Sequence, residues 1–287
     1  MSRSRSVDLD ALTQGREQLS PATFTALRDL LHAHSGIALA GHKLTMVQSR
    51  LAKRLRALGL QTYEEYLRRL ENPEAPEWPE FINALTTNLT SFFREGHHFT
   101  RLVELLKPTL PSRRRLRIWS AGCSTGEEPY TLAMTLLNAF GTALPIEILA
   151  TDLDTAVLAT ASKGIYPEAR IEDLDNEWKR FAFLRGRGER EGRVCVRPEV
   201  RDLITFRQLN LLDAEWPVGS EPFQAIFCRN VMIYFDKPTQ RKLLRRFHGL
   251  LEPEGLLFVG HSEALLDPAL GFRSLGQTIY RRKELAP

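Results

Sequence analysis

The chain has 287 residues, a net charge of +4, 43% hydrophobic residues and 26% charged residues. This length exceeds a typical domain of roughly 100–200 residues, so we expect two domains in a soluble globular protein. The patterning excludes a membrane-spanning helix, because no apolar run approaches the ~18 residues that one requires. The mild positive charge permits an acidic partner and does not call for nucleic acid.

Residues 1–19 are polar and without periodicity, which predicts a flexible tail, and they lack the apolar core of a signal peptide. The three cysteines, Cys123, Cys195 and Cys228, are far apart and show no C-x-x-C spacing. Such cysteines are typical of reduced thiols in a cytoplasmic protein, and they argue against a zinc site.

Helical periodicity predicts an all-α domain over residues 20–87. Ser20 and Pro21 offer an N-cap and a first helical position, and Gly36 and Gly59 are placed to end the first two helices. The four predicted helices begin at Pro21, near His42, at Tyr63 and after Pro79.

The second of these helices carries a cluster of cations, and the sequence has no acid between Lys43 and Glu64. A solvated helix face is one interpretation of the cluster, and docking onto an acidic partner surface is the other. The cations are Arg50, Lys53, Arg54 and Arg56.

The rest of the chain is organised around the stretch LRIWSAGCSTGEEPY, residues 116–130. It predicts a short apolar strand over Leu116–Ser120, a glycine turn through Gly122 and Gly126, and a helix that begins with two acids and a proline. A strand, a glycine turn and a helix form the opening unit of a doubly wound α/β fold, and small residues in the turn let a ligand approach the main chain. A glycine turn needed only for packing remains an alternative.

This turn lacks the features of a phosphate site. No Lys-Ser or Lys-Thr follows Gly126, and the two glycines do not fit the G-x-G-x-x-G spacing. Glu127 and Glu128 would also repel a pyrophosphate. A cationic or zwitterionic ligand fits better, and S-adenosylmethionine combines a sulfonium with an amino group and has no phosphate.

Further apolar strands complete the expected parallel sheet. Residues 178–207 interrupt the strand–helix alternation. They predict either a small antiparallel β insertion, whose exposed edge could receive a peptide as an added strand, or a decorative surface hairpin. The predicted core strands are Leu116–Ser120, Ile146–Thr151, Ile204–Gln208, Phe223–Cys228 and Leu256–Gly260, followed by an antiparallel pair near Phe272–Leu275 and Thr278–Arg282.

Polar side chains at the carboxyl ends of these strands are candidate site residues, because ligands of such folds bind there. Asp152 and Asp154 follow the second strand, and an acid there can contact a ribose or cap the next helix. We expect Asp152 to take the first role and Asp154 the second. Arg229, Asn230 and Tyr234 follow the fourth strand.

Two other patterns suggest chemistry that we do not expect. His97 and His98 are adjacent in a predicted helix that begins at Glu95, so they would point to different sides of it and would not bind one metal ion together. His261, Ser262 and Glu263 look like pieces of a hydrolase triad, but the second glycine of a nucleophile elbow is missing.

Four stretches together resemble one family: NALTTNLTSFFREGHHF (83–99), IWSAGCSTGEEPY (118–130), ATDLD (150–154) and FCRNVMIYFD (227–236). They are similar to the CheR-type chemotaxis receptor methyltransferases, which use S-adenosylmethionine to methylate glutamates of bacterial chemoreceptors. GHSE at 260–263 matches as well, and the resemblance covers nearly the whole chain from about Phe24. It implies a doubly wound, Rossmann-like methyltransferase domain over 88–287, with an inserted antiparallel β-subdomain and an all-α N-terminal domain.

The resemblance also implies site residues, position by position. Arg94 and Tyr234 would lie nearest the transferring methyl group. Glu127 would contact the methionine or nucleoside portion of the cofactor, and Asp152 would bind its ribose. The implied cofactor-binding residues are Asn88, Thr90, Arg94, Glu127, Asp152, Asn210, Leu211, Arg229 and Asn230.

The implied partners are the cytoplasmic helices of chemoreceptors, bound through the basic helix. Lys53 stands where other members can have arginine, which weakens a claim of bidentate carboxylate contact there but keeps the charge. In some members the β insertion captures a short peptide at the receptor C-terminus, and the glycine-framed loop at Gly186–Gly192 resembles those members.

The implied reaction is an in-line displacement of methyl from a sulfonium by a carboxylate. A glutamate has an ordinary pKa of about 4.3 and is ionised at neutral pH, so no general base is expected. Tyr234 could orient the incoming carboxylate, and Arg94 could steer it. An RNA or small-molecule methyltransferase and a non-catalytic receptor scaffold stay open as alternatives, although the lack of an aromatic–basic ladder counts against RNA.

Overall fold

A computed structural model describes residues 18–112, 115–142, 144–265 and 267–284 of the chain. The chain divides into two compact units, the first ending at Thr86 and the second beginning at Thr87. Most of the predicted tail, residues 1–17, lies outside the described residues.

The described part of the first unit is all-α, and signals in the sequence set the ends of its helices. The Ser20 side chain accepts a hydrogen bond from the first turn of the first helix. Gly36 and Gly59 take the left-handed conformation just after the first and second helices, and Thr62 and Glu65 form a capping box before the third. The helices are α1 (Pro21–Ser35), α2 (Leu44–Leu58), α3 (Tyr63–Leu70) and α4 (Trp78–Leu85).

Apolar side chains spaced three or four residues apart on these helices form the core of the first unit. Their spacing places them on one face of each helix, so they leave water together when the helices pack. Side chains with no exposed surface include Leu31 of α1, Leu51 and Leu55 of α2, Tyr66 of α3 and Phe81 of α4.

The second unit is built on two sheets. Its strands are β1 (Leu116–Ala121), β2 (Ile146–Asp152), β3 (Ile165–Pro167), β4 (Phe183–Arg185), β5 (Arg193–Val196), β6 (Ile204–Gln208), β7 (Phe223–Cys228), β8 (Leu251–Val259), β9 (Phe272–Ser274) and β10 (Ile279–Arg282). The main sheet has the order β6-β2-β1-β7-β8-β10-β9. The strands from β6 to β8 in this order pair in parallel, and β10 pairs antiparallel with β8 and β9. The strand order reverses between β1 and β7, which is where such folds bind ligands.

Helices cover both faces of the main sheet, so the doubly wound fold predicted from the sequence is confirmed. Alternate side chains of β1 point to opposite faces: Ile118 packs with Phe99 on one side, and Trp119 packs with Phe247 on the other. The helices of the second unit are α5 (His97–Leu106), α6 (Glu127–Phe140), α7 (Thr155–Lys163), α8 (Asn176–Ala182), α9 (Pro198–Arg201) and α10 (Lys237–Leu250).

The smaller sheet has the order β3-β5-β4 and is antiparallel. The sequence predicts an insertion that begins near residue 178, but β3 at Ile165–Pro167 already belongs to this sheet. Three residues give a strand too little periodicity to be recognised, and pairing with β5 is what makes this segment a strand. Glycine is required at Gly186, because a Cβ there would lie 1.9 Å from the carbonyl oxygen of Arg190.

Two element boundaries differ from the predicted ones because of left-handed residues. The segment before Leu256 belongs to β8 and is not a separate turn: Glu254 has φ +63°, and the register with β7 shifts at this point, as in a β-bulge. Helix α5 begins at His97 and not at Glu95, because Phe93 and Glu95 both have φ +53°, which an α-helix cannot contain. Within the described ranges, no helix combines the length and the apolar character needed to cross a membrane.

Candidate functional site

The glycine turn after β1 is tied to the neighbouring strands of the sheet. The main-chain N–H groups of Gly122 and Cys123 donate to the Thr151 carbonyl of β2 at 2.8 and 2.9 Å. Gly122 has φ +103°, and a Cβ there would lie 2.3 Å from Cγ2 of Val231, which follows β7. The absence of a side chain at Gly122 therefore lets the ends of β1, β2 and β7 approach one another.

Two aspartates at the end of β2 have different roles in the structure. Asp154 caps α7 by accepting hydrogen bonds from its first turn at 2.9 and 3.1 Å, as expected. The Asp152 carboxylate accepts from the main-chain N–H of Ser124 in the glycine turn and from that of Asp154, at 2.8 and 2.9 Å. Burial raises the pKa of Asp152 to about 6, although these N–H groups oppose the shift. The ribose contact of Asp152 remains a prediction.

The segment before α5 brings three predicted site residues to this same edge. The Asn88 side chain donates to the Asp154 carboxylate at 2.8 Å. The Arg94 guanidinium donates to the Leu89 carbonyl at 2.6 Å, which folds the segment back on itself. The carbonyl of Thr90 accepts from the guanidinium of Arg170 at 3.0 Å.

Glu127 is fully buried, and its carboxylate is held by partners within the unit. One oxygen accepts from Arg170, and the other accepts from the Thr125 hydroxyl at 2.6 Å. Arg170 lies in the short helical turn that follows β3, outside the motifs that mark the site in the sequence. No local pattern marks this arginine, since its partners lie far away along the chain. Contact between Glu127 and a ligand remains a prediction.

The side chain of Arg229 is also committed to internal partners. One terminal nitrogen donates to Glu128 at 3.0 Å, and the other donates to the main-chain carbonyl of Arg94. Burial raises the pKa of the Glu128 carboxyl, against the attraction of the guanidinium. A ligand contact at Arg229 would therefore come from its main chain. The sequence indicates Glu128 only as an acid of the first helical turn that disfavours a pyrophosphate, and its pairing with Arg229 appears only in the folded chain.

Glu263 fixes the loop that carries Asn230 and Tyr234. Its carboxylate accepts three main-chain N–H groups, from Asn230 at 2.8 Å, Ile233 at 3.0 Å and Gly260 at 2.7 Å. Asn230 itself has φ +59°, a conformation that these bonds hold in place. Tyr234 is partly exposed on the same loop.

The possible hydrolase triad does not form. The ring Nδ1 of His261 lies 3.0 Å from the carboxylate of Glu95, while Glu263 binds main-chain groups and Ser262 is exposed. The lack of a second elbow glycine is consistent with this geometry. Among the described residues, no group of three His, Cys, Asp or Glu side chains is arranged to hold a metal ion.

The last two predicted cofactor residues follow β6, the strand beside β2. The N–H of Leu209 donates to the carbonyl of Asp152 at 3.0 Å, which draws this turn toward the end of β2. Asn210 accepts the N–H of Leu212 at 3.0 Å, and Leu211 is buried. Both predicted positions thus belong to the carboxyl edge of the sheet, and their contact with a ligand remains a prediction.

In the first unit, two of the four cations of the basic helix are used internally. Arg54 forms a two-pronged ion pair with buried Glu77, with both distances 2.8 Å, and also pairs with Glu80 at 3.0 Å. Arg50 donates to the Thr86 carbonyl at 2.7 Å. The other two cations, Lys53 and Arg56, are exposed.

The carboxyl edge of the main sheet suits a nucleoside that carries positive charge and no phosphate. Glycine at position 122 lies against Val231, and the Ser124 hydroxyl is buried without a hydrogen-bond partner among the described residues. Asp152 offers a carboxylate to a ribose. The turn is followed by the acids Glu127 and Glu128, and not by the lysine that a phosphate-binding loop would have there.

The fold and this edge define a methyltransferase that uses S-adenosylmethionine. Residues 88–281 match the family described as "CheR methyltransferase, SAM binding domain", and residues 22–86 match "CheR methyltransferase, all-alpha domain". The chain belongs to the CheR methyltransferase family.

Relatives match along nearly their whole length. The chain is 50% identical over 258 residues to chemotaxis protein methyltransferase 2 of Pseudomonas aeruginosa, covering 90% of this chain and 91% of that protein. It is 49% identical over 270 residues to the chemotaxis protein methyltransferase of Salmonella typhimurium, covering 92% and 91%. The corresponding Escherichia coli protein is 48% identical over 270 residues, covering 92% of each chain.

The role of Glu263 as an anchor can be tested by Glu263→Gln. An amide NH2 would replace an oxygen that accepts main-chain N–H groups, so we expect the free energy of unfolding to fall by about 1–3 kcal/mol. Urea unfolding measures this change. The neighbouring Ser262→Ala is the control, and its exposed position predicts a change within about 0.5 kcal/mol. Equal stability of the two variants would contradict the anchoring role.

Proposed function

We propose that this protein transfers the methyl group of S-adenosylmethionine to glutamate side chains of chemoreceptors, giving glutamate methyl esters. The observation that carries the proposal is the match to both CheR domains, together with about half identity to chemotaxis protein methyltransferases over nine tenths of the chain. The proposed acceptors are the cytoplasmic helices of these receptors, so we place the enzyme in the cytoplasm.

In this proposal the carboxyl edge of the main sheet binds the cofactor. When bound, S-adenosylmethionine supplies an electrophilic methyl group on a positively charged sulfur. The acids near the glycine turn favour such a cation, and the Asp152 carboxylate accepts hydrogen bonds from ribose hydroxyls. The residues proposed to hold the cofactor are Asn88, Thr90, Arg94, Glu127, Asp152, Asn210, Leu211, Arg229 and Asn230.

Arg94 is proposed to steer the acceptor. Its guanidinium is partly exposed and is held by the Leu89 carbonyl, and its main-chain carbonyl is held by Arg229. A fixed cation raises the local concentration of an anionic side chain without the cost of ordering a flexible one. The acceptor carboxylate is ionised at neutral pH, so the chain needs no general base.

Tyr234 is proposed to orient the acceptor. It lies on the loop that Glu263 fixes, and its partial exposure leaves the phenol accessible. A phenol O–H donates one hydrogen bond to a carboxylate oxygen, and this bond can align the other oxygen for transfer.

The first proposed receptor contact is the exposed part of the basic helix α2. With Arg54 committed to Glu77, and Arg50 to the end of α4, the available charge is concentrated at Lys53 and Arg56. Such charge attracts an acidic receptor surface by long-range steering.

The second proposed contact is the small sheet, as a site for a receptor tail peptide. Ile165, Cys195 and Leu184 are paired across its three strands and form an apolar row, of which Ile165 is 40% and Leu184 44% exposed. β3 and β4 are edge strands in this sheet, and an extended peptide can pair with such an edge. Titration with receptor tail peptides tests this contact, and no binding would remove it.

The chemistry is tested by methyl incorporation into receptor-enriched membranes. A glutamate methyl ester is lost as methanol in mild alkali, so we expect the incorporated label to be base-labile. Tyr234→Phe should lower kcat by about tenfold or more, while the affinity for S-adenosylhomocysteine in calorimetry stays within about threefold. Cofactor binding without any incorporation would favour the scaffold, base-stable label would indicate another acceptor, and unchanged turnover in the variant would remove Tyr234 from the chemistry.

The ribose contact of Asp152 predicts a pH dependence of cofactor binding. The pKa of Asp152 is raised to about 6 because burial disfavours its ionised form. The ligand-free fold is therefore most stable when Asp152 is protonated, and it loses this stability as the pH rises through 6. A ribose hydroxyl binds the ionised form better, so affinity for S-adenosylhomocysteine should be full above pH 6 and fall by up to about tenfold per pH unit below it.

The control for this pH dependence is Asp152→Asn, which cannot ionise. Calorimetry should show a weaker affinity at pH 7 and no decline between pH 7 and pH 5. A decline of the same size in the variant would assign the titration to another group.

The receptor contact of the basic helix predicts a salt-dependent change in KM. Lys53→Gln combined with Arg56→Gln should raise KM for receptor methylation about three- to tenfold at low ionic strength, with a smaller effect at high salt. Affinity for S-adenosylhomocysteine should not change. The matched control is Arg68→Gln with Arg69→Gln, which removes two exposed charges from α3. Equal KM values for the two double variants would exclude the α2 surface.

A further inference from the structure

Four titratable side chains converge in the second unit, and we call them the Arg229 cluster: Glu95, His98, Glu128 and Arg229. They come from the segment before α5, from α5, from the first turn of α6 and from the end of β7. The Arg229 side chain is 2% exposed, Glu95 and Glu128 are each 12% exposed, and His98 is fully buried. A charged group this deep is costly unless its partners are well arranged.

Arg229 joins two parts of the site through its planar fork. One arm donates to Glu128 at 3.0 Å, and the other donates to the main-chain carbonyl of Arg94. The second oxygen of Glu128 accepts from the Ser120 hydroxyl of β1 at 2.8 Å. The guanidinium also lies over the ring of Phe99, 5.4 Å from its centroid. These contacts tie the main chain of Arg94 to the strand that leads into the glycine turn.

The main chain on both sides of Arg94 has an uncommon conformation. Phe93 and Glu95 each have φ +53°, and Asn230, next to Arg229, has φ +59°. Such angles are uncommon for non-glycine residues, and they persist where the surrounding structure fixes them. The donor that fixes the carbonyl between Phe93 and Glu95 is Arg229.

The polar composition of the cluster is not explained by stability. His98 is neutral, because burial lowers its pKa to about 4 and its Nε2 lies 2.9 Å from the Gln277 carbonyl, to which it donates. One guanidinium therefore faces two carboxylates, with Glu95 3.6 Å from Arg229. Three buried atoms have no hydrogen-bond partner among the described residues: Glu95 Oε2, His98 Nδ1 and Arg229 Nε. Apolar residues of similar volume often stabilise a core equally well. The charged residues of this cluster therefore indicate a role in fixing the position of the neighbouring main chain.

We propose that Glu128 and Arg229 are positioning residues for methyl transfer, and that their ion pair sets the place of Arg94 at the carboxyl edge of the sheet. The inference rests on the proposed role of Arg94 in steering the acceptor. It gives Glu128 a positioning role that the sequence did not indicate. It also assigns the Arg229 side chain to positioning Arg94 and not to binding the cofactor.

The test compares Glu128→Gln, Arg229→Lys and the double variant Glu128→Gln/Arg229→Met, which removes both charges of the pair and keeps similar side-chain volumes. Each should lower kcat for base-labile methyl incorporation by about 10- to 100-fold. A small displacement of a catalytic group lowers the rate this much even when the mutated residue does not touch the substrate. The Kd for S-adenosylhomocysteine should rise by no more than about threefold, because Arg94 is one of the nine residues proposed to hold the cofactor. Arg229→Lys should not restore kcat, because a single ammonium cannot hold both acceptors in a fixed fork.

The control is Arg241→Gln, which breaks a surface ion pair with Asp267 in the same unit and should leave kcat unchanged. Thermal unfolding establishes that each variant is folded. A folded variant whose kcat stays within twofold of the parent would overturn the proposal. A Kd that weakens as much as kcat falls would also overturn it, since the pair would then serve cofactor binding. Full activity of Arg229→Lys would show that charge without the fork suffices.

Hydrogen exchange gives a readout that does not depend on the acceptor. Amides of residues 91–96 should exchange faster in the three cluster variants than in Arg241→Gln, because the carbonyl of Arg94 loses its donor. Unchanged exchange in this segment would contradict the positioning role. If the parent enzyme makes no base-labile ester, the proposed acceptor is wrong, and the exchange experiment still decides whether the pair fixes Arg94.

Discussion

The structure depends on satisfying several carboxylates that converge at one edge of a sheet. Burial penalises each charge, so each needs donors within hydrogen-bond distance. Glu127 is held by Arg170, Glu128 by Arg229, and Glu263 by three main-chain N–H groups. Asp152 accepts from the glycine turn, and Asp154 caps a helix. These bonds fix the ends of β1, β2 and β7 and the loops that follow them.

We propose that the same acids also favour the ligand. An edge that carries acids repels a pyrophosphate, whereas a sulfonium attached to a nucleoside is attracted to it. A glycine turn after the first strand is common to sites for both kinds of ligand, and it does not distinguish between them. We propose that the acids after the turn make that distinction, and that a doubly wound sheet can in this way bind S-adenosylmethionine without the spacing of a dinucleotide site.

The proposed catalytic residues, Arg94 and Tyr234, are positioned by contacts of the main chain around them. Within the described part of the chain, they do not form a hydrogen-bonded pair of the kind that activates a nucleophile. Arg94 is fixed through its main chain, and Tyr234 is fixed through the loop that Glu263 binds. This is consistent with a reaction whose acceptor is ionised before it arrives, because positioning is then the main contribution that the chain makes. The exposed surfaces of α2 and the small sheet supply the proposed recognition of the acceptor protein.

The sequence by itself determined the four helices of the first unit, the core strands, the caps at Ser20 and Asp154, and the family, because these depend on residues a few positions apart or on contiguous motifs. The tertiary structure alone decided the partners of the buried charges. Arg170 and Glu127 are 43 residues apart, and Arg229 and Glu128 are 101 apart, so no local pattern connects them. It also placed β3 in the small sheet, put a bulge in β8 and turned Arg54 inward toward Glu77. In each case the deciding contact is with a residue that the chain brings close only when it folds.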